Sequence, residues 1–297
     1  MESELQRIVF VGDLHYQAQD RGYLLCSRAL ELWRALTLRG NAPPHAFVQV
    51  GDLIDGYKLP IDNNKLDLAT VGEALRRSPV PAHAIVGNHE TYWLPDRAYH
   101  LQALKLESFS RVIDGAVRIV LFDVTVDHES YGELTPERAA WLTAAASAEP
   151  ARPIVIVQHQ PIHVSDEICT HRHYVRNSGD YRRLLARLPN VRMLITGHRH
   201  IPEVTTVNSI PQVTLGAFCS YPFTIGELSI DAAAQQAVLR ERPLEALCEL
   251  DASLDFSQML DASQRMIIAD NPDVWRNRPR LTRELADVRM SWAELTS

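Results

Sequence analysis

The chain has 297 residues, 46% of them apolar, which is enough to bury a large core in one big domain or two ordinary ones. A net charge of -7 weighs against a protein that coats long nucleic acid but leaves a small anionic substrate open. No apolar run is long enough to span a bilayer, residues 1–10 do not read as a secretory leader, and Cys26, Cys169, Cys219 and Cys248 are too scattered for a disulfide framework, so a cytoplasmic protein without a membrane partner is expected.

From the N-terminus one phrase repeats: a short β-branched run, a polar stretch, then a helical segment, the pattern of an α/β fold. The predicted strands are residues 8–11, 46–50, 82–86, 117–124, 154–158 and 191–196, with helices over 24–38, 65–77, 136–146 and 181–188. Their near-continuous apolar character predicts sheets that are covered on at least one face. After His200 the texture changes to strand-like pieces at 204–207, 212–218, 223–230 and 237–240, which read as an antiparallel second half. Beyond residue 240, Leu281, Leu285, Val288, Trp292 and Leu295 recur at four- and three-residue steps, predicting a terminal helix with one apolar face. The expected organisation is a catalytic domain over 1–240 and a helical extension over 241–297, whose apolar face packs on the catalytic domain or on a second copy of the chain.

Five polar motifs each follow an apolar run, where an open α/β sheet gathers its ligands. They are Gly12-Asp13-Leu14-His15, Gly51-Asp52-Leu53-Ile54-Asp55, Gly87-Asn88-His89-Glu90, His159 between two glutamines, and Gly197-His198-Arg199-His200. Asp-x-His and His-x-His put two ligating side chains on one side of an extended loop. Carboxylate, imidazole and amide oxygen together suit manganese, iron, zinc or cobalt better than calcium or magnesium alone. Singly, each motif is as readily a structural turn or a satisfied histidine; the joint occurrence in this order is what points to a binuclear metal centre.

In that order the motifs resemble the full signature of the calcineurin-like metallophosphoesterases, over residues 7 to about 240. The resemblance implies two facing mixed β-sheets flanked by helices, and two divalent ions, manganese or iron first and zinc or cobalt as alternatives. Asp13, His15 and His200 would hold one ion, Asn88, His159 and His198 the other, and Asp52 would bridge both. The implied reaction is in-line attack of a metal-bridging hydroxide on a phosphoryl group, with Asp52 and His89 as catalytic residues and His89 as donor to the leaving group. Asp55 is expected either to orient a ligand or to cap its loop.

Two finer resemblances bear on the substrate. Asn177 and the helix after it are similar to the segment of class III cyclic nucleotide phosphodiesterases that closes over the nucleotide. Residues 51–57, 80–90 and 132–134 look like the manganese-dependent ADP-ribose/CDP-alcohol diphosphatases, which carry Gln where this chain has His15. A small nucleotide-type phosphodiester is therefore expected, with a nucleotide-linked pyrophosphate or a phosphomonoester as alternatives. Substrate contacts are assigned to Asn88 and His89 and to His171, Arg172, His173, Arg176 and Asn177, groups able to grip a phosphate or a ribose. A metal-binding scaffold of the same fold is the non-enzyme alternative, against which every expected ligand and His89 are present. His45, His83, His100 and His163 read as structural or surface residues.

Overall fold

The computed structural model describes residues 5–21, 24–37, 43–164, 174–244, 258, 263, 265 and 287–295. Strands β1 (Gln6–Val11), β2 (Ala46–Val50) and β3 (Ala82–Ile85) run parallel, while β10 (Thr224–Asp231), β11 (Gln236–Pro243) and β12 (Val288–Ser291) continue the same sheet antiparallel, in the order β12-β11-β10-β1-β2-β3. A second sheet has the order β4-β5-β6-β7-β9-β8, built from β4 (Arg111–Ile113), β5 (Arg118–Leu121), β6 (Ile154–Val157), β7 (Val191–Thr196), β8 (Glu203–Val207) and β9 (Ile210–Thr214). Both sheets are mixed, as expected. The second half is less uniformly antiparallel than its texture suggests, because β9 lies parallel to β7 while pairing antiparallel with β8.

Strand alternation explains why the runs look continuously apolar. Ile8 and Phe10 of β1 face a core between the sheets together with Ile119 and Leu121 of β5 and Val155 and Val157 of β6. Their neighbours Val9 and Val11 point outward, where they pack with helices α1 (Ala29–Thr37), α2 (Ile61–Arg76) and α4 (Arg97–Leu104). On the second sheet, Val120 and Ile156 face α5 (Pro136–Ser147) and α6 (Ser178–Leu185). β2, β5 and β6 are buried along their whole length on both faces, so period-two polarity is lost there, whereas β8 and β11 keep it. Among the described residues no helix is long and apolar enough to cross a membrane.

The C-terminal reading needs correction. Val288, Met290 and Trp292 alternate at period two on β12 and its following residue, and β12 pairs with β11, which itself runs across residue 241. Met290 and Trp292 are buried in the inter-sheet core, so this apolar stretch is a strand edge, not a helix face. The open edge of β11 supplies backbone partners that override the helical spacing. Leu281 and Leu285 lie outside the described residues. Within the extension Gln258, Ser263 and Arg265 are helical, and buried Ser263 accepts a 2.9 Å hydrogen bond from the Tyr221 amide.

Candidate metal centre

All five motifs sit just past the carboxyl ends of parallel strands, β1, β2 and β3 of the first sheet and β6 and β7 of the second. Parallel strands deliver their loops to one end, and the two facing sheets bring those ends together. Asp13, His15, Asp52, His198 and His200 all adopt positive φ, between 46° and 73°. A left-handed backbone is uncommon outside glycine, and its clustering here marks turns held by the surrounding structure. Glycines make room for the close approach: a Cβ on Gly51 would lie 2.4 Å from His159 Nδ1, and one on Gly197 would lie 2.6 Å from Asp13 Oδ2.

Among the described residues three overlapping groups have donor atoms within 4.8 Å of one another: Asp13, His15, Asp52 and His200; Asp52, His159 and His198, beside which Asn88 lies; and His15, Asp55 and His89. In the first, His15 Nε2 and His200 Nε2 approach to 2.8 Å, with Asp13 Oδ1 at 4.0 Å and 3.6 Å from them. In the second, Asn88 Oδ1 lies 3.0 Å from His159 Nε2 and 2.7 Å from His198 Nδ1. Asp52 stands between the groups, its Oδ2 3.7 Å from His15 Nε2 and 3.1 Å from His159 Nε2. Its other oxygen, Oδ1, accepts the His89 amide at 2.8 Å, which fixes the carboxylate's orientation. Two buried imidazole nitrogens facing each other beside carboxylates form a donor set that suits a cation, so the residues present fit a binuclear site.

A supporting layer holds these side chains. Asp55 Oδ1 lies 3.3 Å from His15 Nδ1, and both Asp55 oxygens accept from Arg21 at 2.7 Å. The Asp55 carbonyl in turn accepts His89 Nδ1 at 2.5 Å. Glu90, at the third position of α3 (Asn88–Trp93), takes the Gly87 amide at 2.6 Å and the Ile54 amide at 2.9 Å, tying the second and third motif loops together. His159 Nδ1 bonds the Val50 carbonyl at 2.8 Å, which leaves Nε2 to face the centre.

Electrostatics follow from packing carboxylates and imidazoles out of water. Burial pushes the Asp13 carboxyl up to about 7, and Asp52 adds to that rise while His159 opposes it. Burial alone would lower His15 and His159, yet Asp55 and Asp52 carry His15 up to about 9, and Asp52 does the same for His159. Asp52, whose burial would raise it, is held well below the usual carboxylate range by His159 and His89. His200 and His89 are lowered, first by burial and then by neighbouring cationic imidazole, with Asp52 opposing. Asp52 is thus the carboxylate of the cluster that is held anionic between the histidine groups.

Of the proposed substrate contacts, Asn88 and His89 lie in the centre, and His171, Arg172 and His173 lie outside the described residues. Arg176 and Asn177 are engaged elsewhere. Asn177 clamps Leu134 through both its amide atoms, at 2.9 Å and 2.8 Å, and exposed Arg176 pairs with Glu133 at 2.7 Å and Tyr131 at 3.0 Å. Sequence reasoning assigns no role to two supporting residues, Glu90, quoted there only as part of its motif, and Arg21. Glu90 was detectable, since an acidic residue three positions after a helix-starting residue is a capping signal. Arg21 carries no local signal, because its partner Asp55 is distant in sequence.

Residues 6–202 match the calcineurin-like phosphoesterase family. The chain is 27% identical over 201 residues to the 3',5'-cyclic adenosine monophosphate phosphodiesterase CpdA of Escherichia coli strain K12, covering 65% of this chain and 69% of that protein. A dimetal phosphatase from Danio rerio shares the fold with a TM-score of 0.65 at 18% identity, over 80% of this chain and 96% of that one. GAP50, the anchor in the inner membrane complex of Plasmodium, does so with a TM-score of 0.53 at 12% identity, over 88% and 95%. With two thirds of its length matched and the metal-binding motifs gathered at one end of two mixed sheets, the chain belongs to the calcineurin-like phosphoesterase family, hydrolases of phosphoester bonds.

Proposed function

We propose that this chain is a two-metal phosphodiesterase acting on a small nucleotide-type phosphodiester, cyclic nucleotides being the first candidates. Asp13, His15 and His200 hold one ion in this reading, Asn88, His159 and His198 the other, and Asp52 serves both. The observation that carries it is the posture of Asp52, with one oxygen tied to the His89 amide and the other turned toward both histidine groups. When bound, two divalent ions supply Lewis-acid activation of a water nucleophile and a clamp on a phosphoryl oxygen.

The chain's own residues supply orientation and the proton. Because the Asp55 carbonyl can only accept, His89 Nδ1 carries the hydrogen in their bond, and Nε2 is the atom left to donate. Nε2 lies 4.0 Å from Asp52 Oδ2, and the His89 side chain is 17% exposed, against 11% for His200 and 0% for His15. Burial lowers the His89 pKa, so Nε2 has to take up a proton before it can donate one, and in that protonated form it faces the departing alkoxide in this reading. Similarity to a cyclic AMP phosphodiesterase supports the diester assignment.

Elemental analysis is expected to find close to two divalent ions per chain, with activity abolished by chelation and restored by manganese. Asp52→Ala should lower both metal content and turnover more than any single histidine change. Rates on cyclic AMP, ADP-ribose, CDP-choline, bis-aryl phosphate and phosphomonoesters locate the substrate class. Activity confined to monoesters, or unaffected by chelator, sinks the proposal.

A further inference from the structure

The face of α3 that carries His89 continues into aromatic side chains which the centre itself does not use. Tyr92 and Trp93 stand three and four positions after His89, so their side chains lie on the same side of the helix, about 5–6 Å further on. Tyr92 is 40% exposed, unusual for a large ring so close to a buried centre. Its ring meets Trp93 at a centroid distance of 4.8 Å, and Tyr57 meets the other side of the cluster with its ring perpendicular to Trp93 at 5.4 Å. Tyr57 follows Asp55 by two residues, and Trp93 packs on Gly56 so tightly that a Cβ on that glycine would lie 2.9 Å from Trp93 Cβ. The aromatic group is therefore fastened to the same turn that orients His89 and His15.

Tyr57 is already occupied by cations, with the Arg21 guanidinium at 5.0 Å and the Lys58 ammonium at 4.9 Å from its ring centroid. Tyr57 is 38% exposed as well, but with those cations on its ring it serves as a buttress, which leaves Tyr92 as the exposed ring without a cation on its face among the described residues. The geometry points to Tyr92, backed by Trp93 and Tyr57, as a stacking shelf that binds the heteroaromatic base of the substrate on the side from which the alcohol leaves. This assignment rests on the phosphodiesterase reading above and adds the part of the substrate that the metal centre does not touch. A base has a π-face whatever its hydrogen-bonding edge, so such a shelf selects nucleotides over ringless diesters without fixing which base is taken. The Lys58 ammonium at the rim adds an attraction for anionic ligands.

Calorimetric binding of AMP and of ribose 5-phosphate to the manganese-loaded full chain isolates the base, since the two ligands share sugar and phosphate. Wild type is expected to prefer AMP. Tyr92→Ala should weaken AMP about 10- to 100-fold and leave ribose 5-phosphate unchanged, while Tyr92→Phe keeps wild-type affinity for both. Tyr92→Leu, which retains apolar volume without a π-face, serves if the alanine variant does not fold, and should lose AMP affinity to a similar extent. Equal affinity of wild type for the two ligands overturns the shelf alone, as does an equal loss of both in Tyr92→Ala. Failure of both ligands to bind wild type overturns the phosphodiesterase reading and the shelf with it.

Discussion

Gly87 lies so close to Asp52 that a Cβ on the glycine would sit 2.1 Å from the aspartate Oδ1 and 2.3 Å from its amide nitrogen. The backbone of Gly87 is extended, at φ -109°, so it is space and not conformation that requires glycine there. A methyl group would displace the carboxylate that faces both histidine groups. Gly87→Ala should reduce bound metal to below one ion per chain and lower kcat/KM by at least about 100-fold, in line with the cost of a misplaced group in a catalytic centre. Gly179→Ala is the control, since a Cβ there meets only the Arg183 guanidinium at 3.7 Å. Metal analysis of both folded variants checks the contrast, and full occupancy in Gly87→Ala would refute it.

His89→Ala should retain close to wild-type metal content, because no predicted ligand set depends on its ring, and lose about two to four orders of magnitude in kcat. The loss should be smaller for aryl than for alkyl leaving groups, since a good leaving group needs less protonation. Parallel rates on bis-aryl phosphate and a nucleotide diester provide the measurement. Equal losses on the two substrates would remove the donor role and leave electrostatic stabilisation.

His100 gives a pH signature of folding away from the centre. Burial holds its pKa down to about 4, against an ordinary value near 6.5. Between those values the unfolded chain binds a proton that the folded chain refuses, so this group makes stability rise with pH from about 4 to 6.5 and contributes no slope above. Asp67, raised to about 6 by burial, has the opposite slope over a similar window. Comparing wild type with His100→Leu cancels the Asp67 contribution. The variant should gain about 2–3 kcal/mol relative to wild type between pH 7 and pH 4, measured by denaturant unfolding. A pH-independent difference would contradict it.

Trp292 is 4% exposed, and its amide donates to the Gln235 carbonyl at 3.2 Å, locking the residue after β12 against the turn between β10 and β11. Trp292→Ala should cost about 3–5 kcal/mol of folding stability, as expected for deleting a buried indole. Metal content of the folded fraction should not change, because no predicted ligand lies on β12. A cost under about 1 kcal/mol would show that the C-terminal strand is not docked in solution.

The strands and the motifs were legible in the sequence for the same reason. A strand buried on both faces reads as a short apolar run, and a polar cluster directly after it stands out, as Gly51 and Asp52 do after Val50. Helices α3 and α4 were not anticipated. The six residues from Asn88 to Trp93 are too few to show a period, and α4 is capped locally by Asp96, whose side chain accepts the Tyr99 amide at 3.0 Å. The C-terminal segment misled because a 3-4 spacing and a period-two spacing share Val288 and Trp292, and only the open edge of β11 chooses between them.

By itself the sequence determined the α/β class, the strand-end placement of five polar motifs and the residue types that gather there, because burial and strand periodicity are local properties of a chain. Tertiary structure alone decided how the sheets face each other, so that His15 of the first meets His200 of the second at 2.8 Å. It decided that Arg21 grips Asp55 and that Asn177 is consumed by Leu134. It also set the left-handed backbone of Asp13, His15, Asp52, His198 and His200, a conformation these residues do not favour by themselves. The reason is physical: a left-handed turn costs free energy locally and persists only where neighbouring loops and sheets over-determine it, and those neighbours are assembled from residues far apart in sequence.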